Sequence, residues 1–329
     1  MSRTLRAQYD RFPLIRPFRI ARGTKTAADV VAVTISEGDA TGRGEAVPYP
    51  RYGETIDGAL AAIEQVRPLI EQGGGRAELL NSLPAGAARN AIDCALWDLE
   101  ARRSCRDVAA MIGGPALRAM PSAMTVVIDT PGAMARAALL ADAPVLKIKV
   151  DANDPEAQIR AVRAAAPAAD LIVDPNESWD RSLLEAMQPV LVEARVGLIE
   201  QPVPAGADEW LEDFTPAVPV CADESVHVAA DLVIVARRYQ AVNVKLDKAG
   251  GLTAALELAL AARAAGLGLM TGCMVSSSLS IAPALHVAMI SDFVDLDGPV
   301  WLREDRPGGI GMEGGFIHPP AAGFWGSQA

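Results

Sequence analysis

The sequence predicts an α/β protein in which an eight-stranded parallel barrel follows a mixed α+β segment. Three observations predict it. From about Met120 onward, short β-rich segments alternate with Ala-rich helical ones, the pattern of parallel βαβ units. The alternation gives eight strand candidates with seven helices between them, enough to close a barrel. Charged residues of both signs recur at the carboxyl ends of those strands, where barrel enzymes gather their chemistry.

Residues 1–117 read as a mixed α+β unit. Residues 30–35 (VVAVTI) are strand-like and end in a Gly-rich turn, with GRGEAVPYP beyond it. Helical patterns cover 56–70 and 87–103, and Gly113-Gly114-Pro115 breaks the chain before the barrel begins. Residues 118–299 hold the barrel. Its strands are expected at 122–129, 145–150, 171–175, 197–201, 218–222, 241–246, 267–272 and 293–297. Its helices are expected at 131–141, 155–166, 182–194, 208–214, 228–237, 252–265 and 277–290. No helix is expected after the eighth strand. Residues 300–329, rich in Gly and Pro, are expected to run back over the first unit.

Composition narrows the function. Half of the 329 residues are apolar, so a large core is available. The net charge of −11 disfavours nucleic acid and anionic membranes, which both select basic patches. The four cysteines form no CxxC pair and read as reduced, mostly buried thiols. The amino-terminal MSRTLRAQYDRF lacks the apolar core of a signal peptide, and no apolar run reaches transmembrane length. A soluble cytoplasmic protein is expected. With three widely spaced histidines, a metal here would need oxygen ligands.

Strand side chains alternate faces. In VLKIKV, Leu146, Ile148 and Val150 suit the helix side, which turns Lys147 and Lys149 inward. A buried ammonium demands a partner or a shifted pKa. The third strand carries Asp174 and Asn176, the fourth ends at Glu200, the fifth at Asp223-Glu224, the sixth holds Asn243 and Lys245, and the eighth Asp295 and Asp297. Asp174, Glu200 and Asp223 come from consecutive strands, which lie about 4.8 Å apart, so they can converge. Three such carboxylates call for a hard cation, Mg²⁺ first and Mn²⁺ second. Lys149 and Lys245 lie four strands apart, on opposite sides of the mouth. Two bases facing each other across a metal-bound substrate suit removal of a proton on one face and its return on the other. Lys147 is expected to depress the pKa of Lys149, and Glu224 to position or charge-balance Lys245.

These motifs, KIK, DPN, EQP, ADES and NVKLDKAGGL in this order, resemble the muconate-lactonizing-enzyme subgroup of the enolase superfamily over most of the chain. The resemblance implies a (β/α)7β modified TIM barrel with an α+β amino-terminal capping domain completed by the carboxyl-terminal tail. It implies Mg²⁺ on Asp174, Glu200 and Asp223, and acid/base catalysis by Lys149 and Lys245. DLDG at Asp295–Gly298 looks like the Asp-x-Asp with which dipeptide epimerases bind a free α-ammonium. Arg22 and Lys25 lie in one cap loop and Arg51 and Tyr52 in another. Arg22 stands where epimerases of L-Ala-D/L-Glu carry an arginine for the glutamate side chain. The expected reaction is epimerisation of a dipeptide, L-Ala-D/L-Glu, through an enediolate stabilised by the metal and Lys147. N-acylamino acid racemisation, o-succinylbenzoate synthesis and muconate cycloisomerisation are the alternatives on the same centre. The resemblance suggests peptidoglycan peptide recycling, and a homo-oligomer is expected. One departure is Ser276, where many relatives carry Glu.

Overall fold

The computed structural model describes residues 2–327. The chain opens with β1 (Arg3–Ile20), β2 (Gly23–Glu37) and β3 (Ala40–Ala46), an antiparallel sheet in that order. Only the middle of β2 is legible as a strand in the sequence. There Val31, Val33 and Ile35 share one face and are buried. β1 lacks such a pattern because Arg, Gln and Asp interrupt it. Pro13 and Pro17 fit because β1 is an edge strand, with a register shift between Pro13 and Phe18. Four helices follow: α1 (Ile56–Glu71), α2 (Arg76–Ser82), α3 (Ala87–Ser104) and α4 (Val108–Met111). α3 packs directly on β3. A Cβ at Gly42 would overlap the Ala95 carbonyl, and one at Gly44 the Ala91 carbonyl.

After a short β4 (Met120–Pro121) come eight parallel strands: β5 (Met124–Val126), β6 (Val145–Lys149), β7 (Asp170–Asp174), β8 (Val196–Glu200), β9 (Val220–Ala222), β10 (Ala241–Val244), β11 (Gly268–Gly272) and β12 (Phe293–Asp295). They stand side by side in chain order. Their helices are α5 (Pro131–Ala141), α6 (Pro155–Ala165), α7 (Arg181–Glu193), α8 (Leu232–Arg238), α9 (Leu246–Ala249), α10 (Leu252–Ala264) and α11 (Ser278–Ala288). Ala123 N donates to the Val294 carbonyl at 2.7 Å, and Leu296 N to Ser122 Oγ at 3.0 Å, joining the last strand to the first. Ala123, Ile172, Leu198, Cys221, Ala241 and Met270 form an apolar cluster within the barrel, which leaves the carboxyl-terminal end for charged groups.

Four expectations need correction. The first barrel strand is three residues long, because Ser122 and Ala123 serve the seam. The segment at 208–214 forms a 3₁₀ turn (Glu209–Asp213) rather than an α-helix. Lys245 lies just beyond β10, as the residue capping α9. The cysteines are free, but Cys105 is exposed and Cys273 half-buried.

The tail packs on the first unit. Leu302 bridges Leu14, Arg306 pairs with Asp10 and Glu45, and Trp325 Nε1 donates to the Arg43 carbonyl at 2.9 Å. β13 (Gly311–Glu313) and β14 (Phe316–His318) extend from β4. Among the described residues, no helix is long and apolar enough to cross a membrane.

Candidate active site

β6 alternates as its pattern requires. Leu146, Ile148 and Val150 join the core, while Lys147 and Lys149 line a cavity of about 270 Å³ at the barrel mouth. Lys147 Nζ lies 2.5 Å from Glu200 Oε2, 2.7 Å from Asp295 Oδ2 and 3.1 Å from Asp174 Oδ2. Lys149 Nζ donates to Asp174 Oδ2. On the other wall, Lys245 Nζ donates to Asp223 Oδ2 at 2.7 Å and stands 3.8 Å from Glu200 Oε1. β7, β8 and β9 separate β6 from β10, so the lysines enter from opposing sides.

Further residues hold the acids in place, and sequence reasoning assigned them no such role. Lys248 Nζ donates to Asp223 Oδ1 at 2.6 Å and to the Asn243 carbonyl at 3.1 Å. Asn243 Nδ2 donates to Glu200 Oε1 at 2.8 Å. Gln201 Oε1 accepts from Asp223 N at 2.8 Å. The spacing of Lys245 and Lys248 was a usable signal, since a single helical turn places i and i+3 on one side.

Burial raises the carboxylates' affinity for protons, and the lysines oppose it. For Asp174, Lys149 and Lys147 win and hold the pKa below the usual range. For Asp223, Lys245, Lys248 and Lys147 do the same. Glu200 rises to about 7, through burial and then Asp174. Burial pulls Lys147 and Lys245 down. Asp295 and Glu200 outweigh it at Lys147, and Asp223 and Glu200 at Lys245. Lys147 is therefore a charge matched by three carboxylates, not chiefly a repulsive neighbour of Lys149.

Asp295 and Asp297 line the same cavity. Asp295 Oδ1 is buried without a hydrogen-bond partner. Asp297 Oδ2 accepts from Thr125 N at 2.8 Å and from Trp301 Nε1 at 3.2 Å. Burial and Asp295 push Asp297 up to about 6.

The cap loops cover the mouth. Arg22, Lys25, Tyr49 and Tyr52 line the cavity, as do Asn176 and Glu224. Glu224 pairs with Arg22 Nη2 at 2.6 Å, and the Lys245 charge also acts on it through space. Arg22 Nη1 also donates to the Asn176 carbonyl at 3.1 Å and to Glu177 Oε2 at 3.0 Å. Arg51 does not line the cavity. It grips Glu177 with two bonds of 2.7 Å at the rim. Asn176 adopts a left-handed φ of 47° and donates from its backbone to Asp174 Oδ1 at 2.9 Å. Ser276 is buried against the Met274 carbonyl and lies outside the cavity wall.

The sequence profile described as "Mandelate racemase / muconate lactonizing enzyme, N-terminal domain" matches residues 3–113, and that described as "Enolase C-terminal domain-like" matches 132–324. The chain belongs to the enolase superfamily. The L-Ala-D/L-Glu epimerase of Escherichia coli (strain K12) is 46% identical over 96% of this chain and 99% of its own. The N-acetyl-D-glutamate racemase of Pseudoalteromonas sp is 44% identical over 90% of this chain and 95% of its own. Among solved structures, an enolase family member from Agrobacterium tumefaciens with homology to dipeptide epimerases, with bound sodium and L-Ala-L-Glu, superposes with a TM-score of 0.96. It is 46% identical and covers 98% of this chain and 100% of its own. The dipeptide epimerase of Methylococcus capsulatus, complexed with Mg and L-Arg-D-Lys, superposes with a TM-score of 0.87 at 33% identity, covering 98% of each chain.

An enolase-superfamily centre is expected to hold a divalent cation. Among the described residues, no three His, Cys, Asp or Glu side chains stand already grouped about one point; the Lys147 ammonium lies among Asp174, Glu200 and Asp295 instead. The donor chemistry fits a hard ion. Asp174, Glu200 and Asp223 are fully buried and offer only oxygen; the first two end β7 and β8, and Asp223 directly follows the adjacent β9. Glu200 Oε2 has no directed hydrogen bond.

Proposed function

We propose that this protein epimerises a dipeptide at the α-carbon of its carboxyl-terminal residue, with L-Ala-D/L-Glu as the substrate. The observation that carries this reading is the pairing of two opposed lysines with a buried, partly unpartnered Asp295–Asp297 receptor in one cavity. A dipeptide brings both groups the site matches: an acidic α-hydrogen beside a carboxylate, and a free ammonium. Asp174, Glu200 and Asp223 would hold Mg²⁺, which supplies positive charge to the substrate carboxylate when bound.

The lysines do the proton work. The neutral amine of one removes the α-hydrogen, and the C–H electron pair moves into an enediolate. The ammonium of the other then protonates the opposite face, so the two exchange protonation states in each turnover. Lys147 directs a fixed positive charge into the same cavity, where negative charge develops on the carboxylate oxygens. Asp295 and Asp297 anchor the amino end and fix which carbon sits between the lysines.

The 44% identity to an N-acetyl-D-glutamate racemase favours a second reading, in which the substrate is N-acyl glutamate and needs no ammonium receptor. Incubation in deuterated water with Mg²⁺ tests the choice. Epimerisation predicts deuterium at the glutamate α-carbon of L-Ala-L-Glu, with its L,D isomer appearing. No uptake into the dipeptide, with uptake into N-acetylglutamate, would establish the second reading. Recycling of peptidoglycan peptides in the cytoplasm, Mn²⁺ as a substitute metal and assembly as a homo-oligomer belong to the same proposal.

A further inference from the structure

Lys149 and Lys245 share the proton work, but the fold holds them by different means. Lys149 is the last residue of β6 and sits opposite Asp174 in the β6–β7 register. The β10 ladder ends at Val244, so Lys245 stands one residue beyond it. Its backbone belongs to the single turn of α9. The Lys245 carbonyl accepts from Lys248 N at 3.1 Å and from Ala249 N at 3.0 Å. That turn aims two ammonium groups at Asp223, Lys245 Nζ at 2.7 Å and Lys248 Nζ at 2.6 Å.

A single turn makes few hydrogen bonds of its own, and the cap supplies more. Arg89, Asn90 and Asp93 of α3 all reach the α9 segment. Arg89 donates to the Ala249 carbonyl at 2.6 Å and to the Gly250 carbonyl at 3.1 Å, groups that a helix end leaves without partners. Asn90 Nδ2 donates to Asp247 Oδ1 at 2.9 Å. Asp93 accepts from Thr253 N at 3.0 Å and Thr253 Oγ1 at 2.6 Å. Arg89, Asn90, Asp93 and Asp247 are all buried. The helix comes so close that a Cβ at Gly250 would fall 2.4 Å from Arg89 Nε, and one at Gly251 2.4 Å from Asp93 Oδ2. Asp247 Oδ1 takes a second bond from Val47 N at 2.8 Å, just before the cap loop that carries Tyr49 and Tyr52 to the cavity.

We infer that Asn90, with Arg89 beside it, is a positioning residue for Lys245: cap helix α3 holds the turn that aims this one base, whereas Lys149 is aimed by its own strand. The inference rests on the epimerase reading above and deepens it. Asn90 lies outside the cavity wall and acts through Asp247. Removing its amide leaves the buried Asp247 Oδ1 with Val47 N alone and frees the turn to shift. Misplacing a reacting group by about 1 Å costs on the order of 100-fold in rate, and this shift falls on Lys245 and not on Lys149.

The test follows initial α-deuterium uptake at glutamate from L-Ala-L-Glu and, separately, from L-Ala-D-Glu, by the full-length protein with Mg²⁺ in deuterated water. Each lysine starts the exchange of one isomer, so the ratio of the two rates weighs one lysine against the other. Within one preparation, that ratio is independent of how much enzyme is folded. Lys245→Ala fixes the sense in which losing that base moves the ratio, and Lys149→Ala should move it the other way. Asn90→Ala is expected to move it about 10- to 100-fold in the Lys245→Ala sense, and Asp247→Ala should do the same. Asp247→Asn, whose amide oxygen still accepts from Asn90 and Val47, should keep the ratio within about threefold of wild type. If Asn90→Ala yields no soluble protein, Asn90→Ser carries the same expectation. Equal losses on both isomers, no loss on either, or an Asp247→Asn ratio displaced as far as that of Asp247→Ala would overturn the inference. Wild-type protein that labels neither isomer would bring down the epimerase reading itself.

Discussion

Replacing Asp297 with Asn separates a substrate that carries an ammonium from one that does not. Asp297 does two jobs. Its Oδ2 accepts from Thr125 N at 2.8 Å and Trp301 Nε1 at 3.2 Å, which helps join the first and last barrel strands. Its negative charge, beside Asp295, makes the cavity a cation receptor. A glycine would remove both functions, whereas an asparagine oxygen can still accept from Thr125 and Trp301. Only the charge is lost. A hydrogen bond to a charged group contributes about 1.5–3 kcal/mol, so kcat/KM for L-Ala-L-Glu should fall about 10- to 150-fold. The wild-type pKa of about 6 sets the assay conditions. At pH 8 Asp297 is ionised and the effect is full. As the pH falls through about 6 the wild type takes up the proton and approaches the variant. Initial rates of deuterium uptake give the comparison, with N-acetyl-L-glutamate as the control that has no ammonium. Equal losses on both compounds, or no loss on the dipeptide at pH 8, would refute the receptor role.

Other consequences arise from the same geometry. Lys149→Ala and Lys245→Ala should each reduce epimerisation by about a thousandfold; undiminished turnover in either would exclude the two-base mechanism. Chelation should abolish turnover, and Mg²⁺ at about 100 times its dissociation constant should stabilise the fold by about 2.7 kcal/mol; a melting temperature indifferent to Mg²⁺ would count against the oxygen-ligand site. Asp247 joins the cap to the Lys245 turn by accepting from Val47 N at 2.8 Å and Asn90 Nδ2 at 2.9 Å, and burial raises its pKa to about 7. Between about pH 4, its unfolded value, and pH 7, the folded state holds a proton that the unfolded state has released, so this group's contribution falls as pH rises. The melting temperature of Asp247→Asn should therefore gain on wild type from pH 4 to 8, and parallel profiles would show that Asp247 is not protonated in the fold.

The barrel was legible because its physics is local. Each strand carries a short β-rich run between Ala-rich helices, and charges placed inside apolar strands, such as Lys147 and Lys149, have no structural purpose that a core would tolerate. The cap hairpin was not legible. β1 is a largely polar edge strand whose register is set by β2, and Pro13 and Pro17 argue against a strand until its edge position is known. The acids and lysines of the mouth could be assembled from strand order alone. What could not be foreseen was which charge meets which. Glu177 gathers both Arg22 and Arg51. Those contacts depend on how loops close over the mouth, and on left-handed conformations at Asn176 and Glu177, neither of which strand periodicity encodes.

The central claim is that two lysines on opposite walls move a proton across one α-carbon. The most direct measurement tracks L-Ala-L-Glu in deuterated water with Mg²⁺ by NMR and mass spectrometry. It should show one deuterium at the glutamate α-carbon, none at the alanine α-carbon, and the L,D isomer forming with deuterium already in place. Absence of label in both isomers, or label confined to alanine, would contradict it.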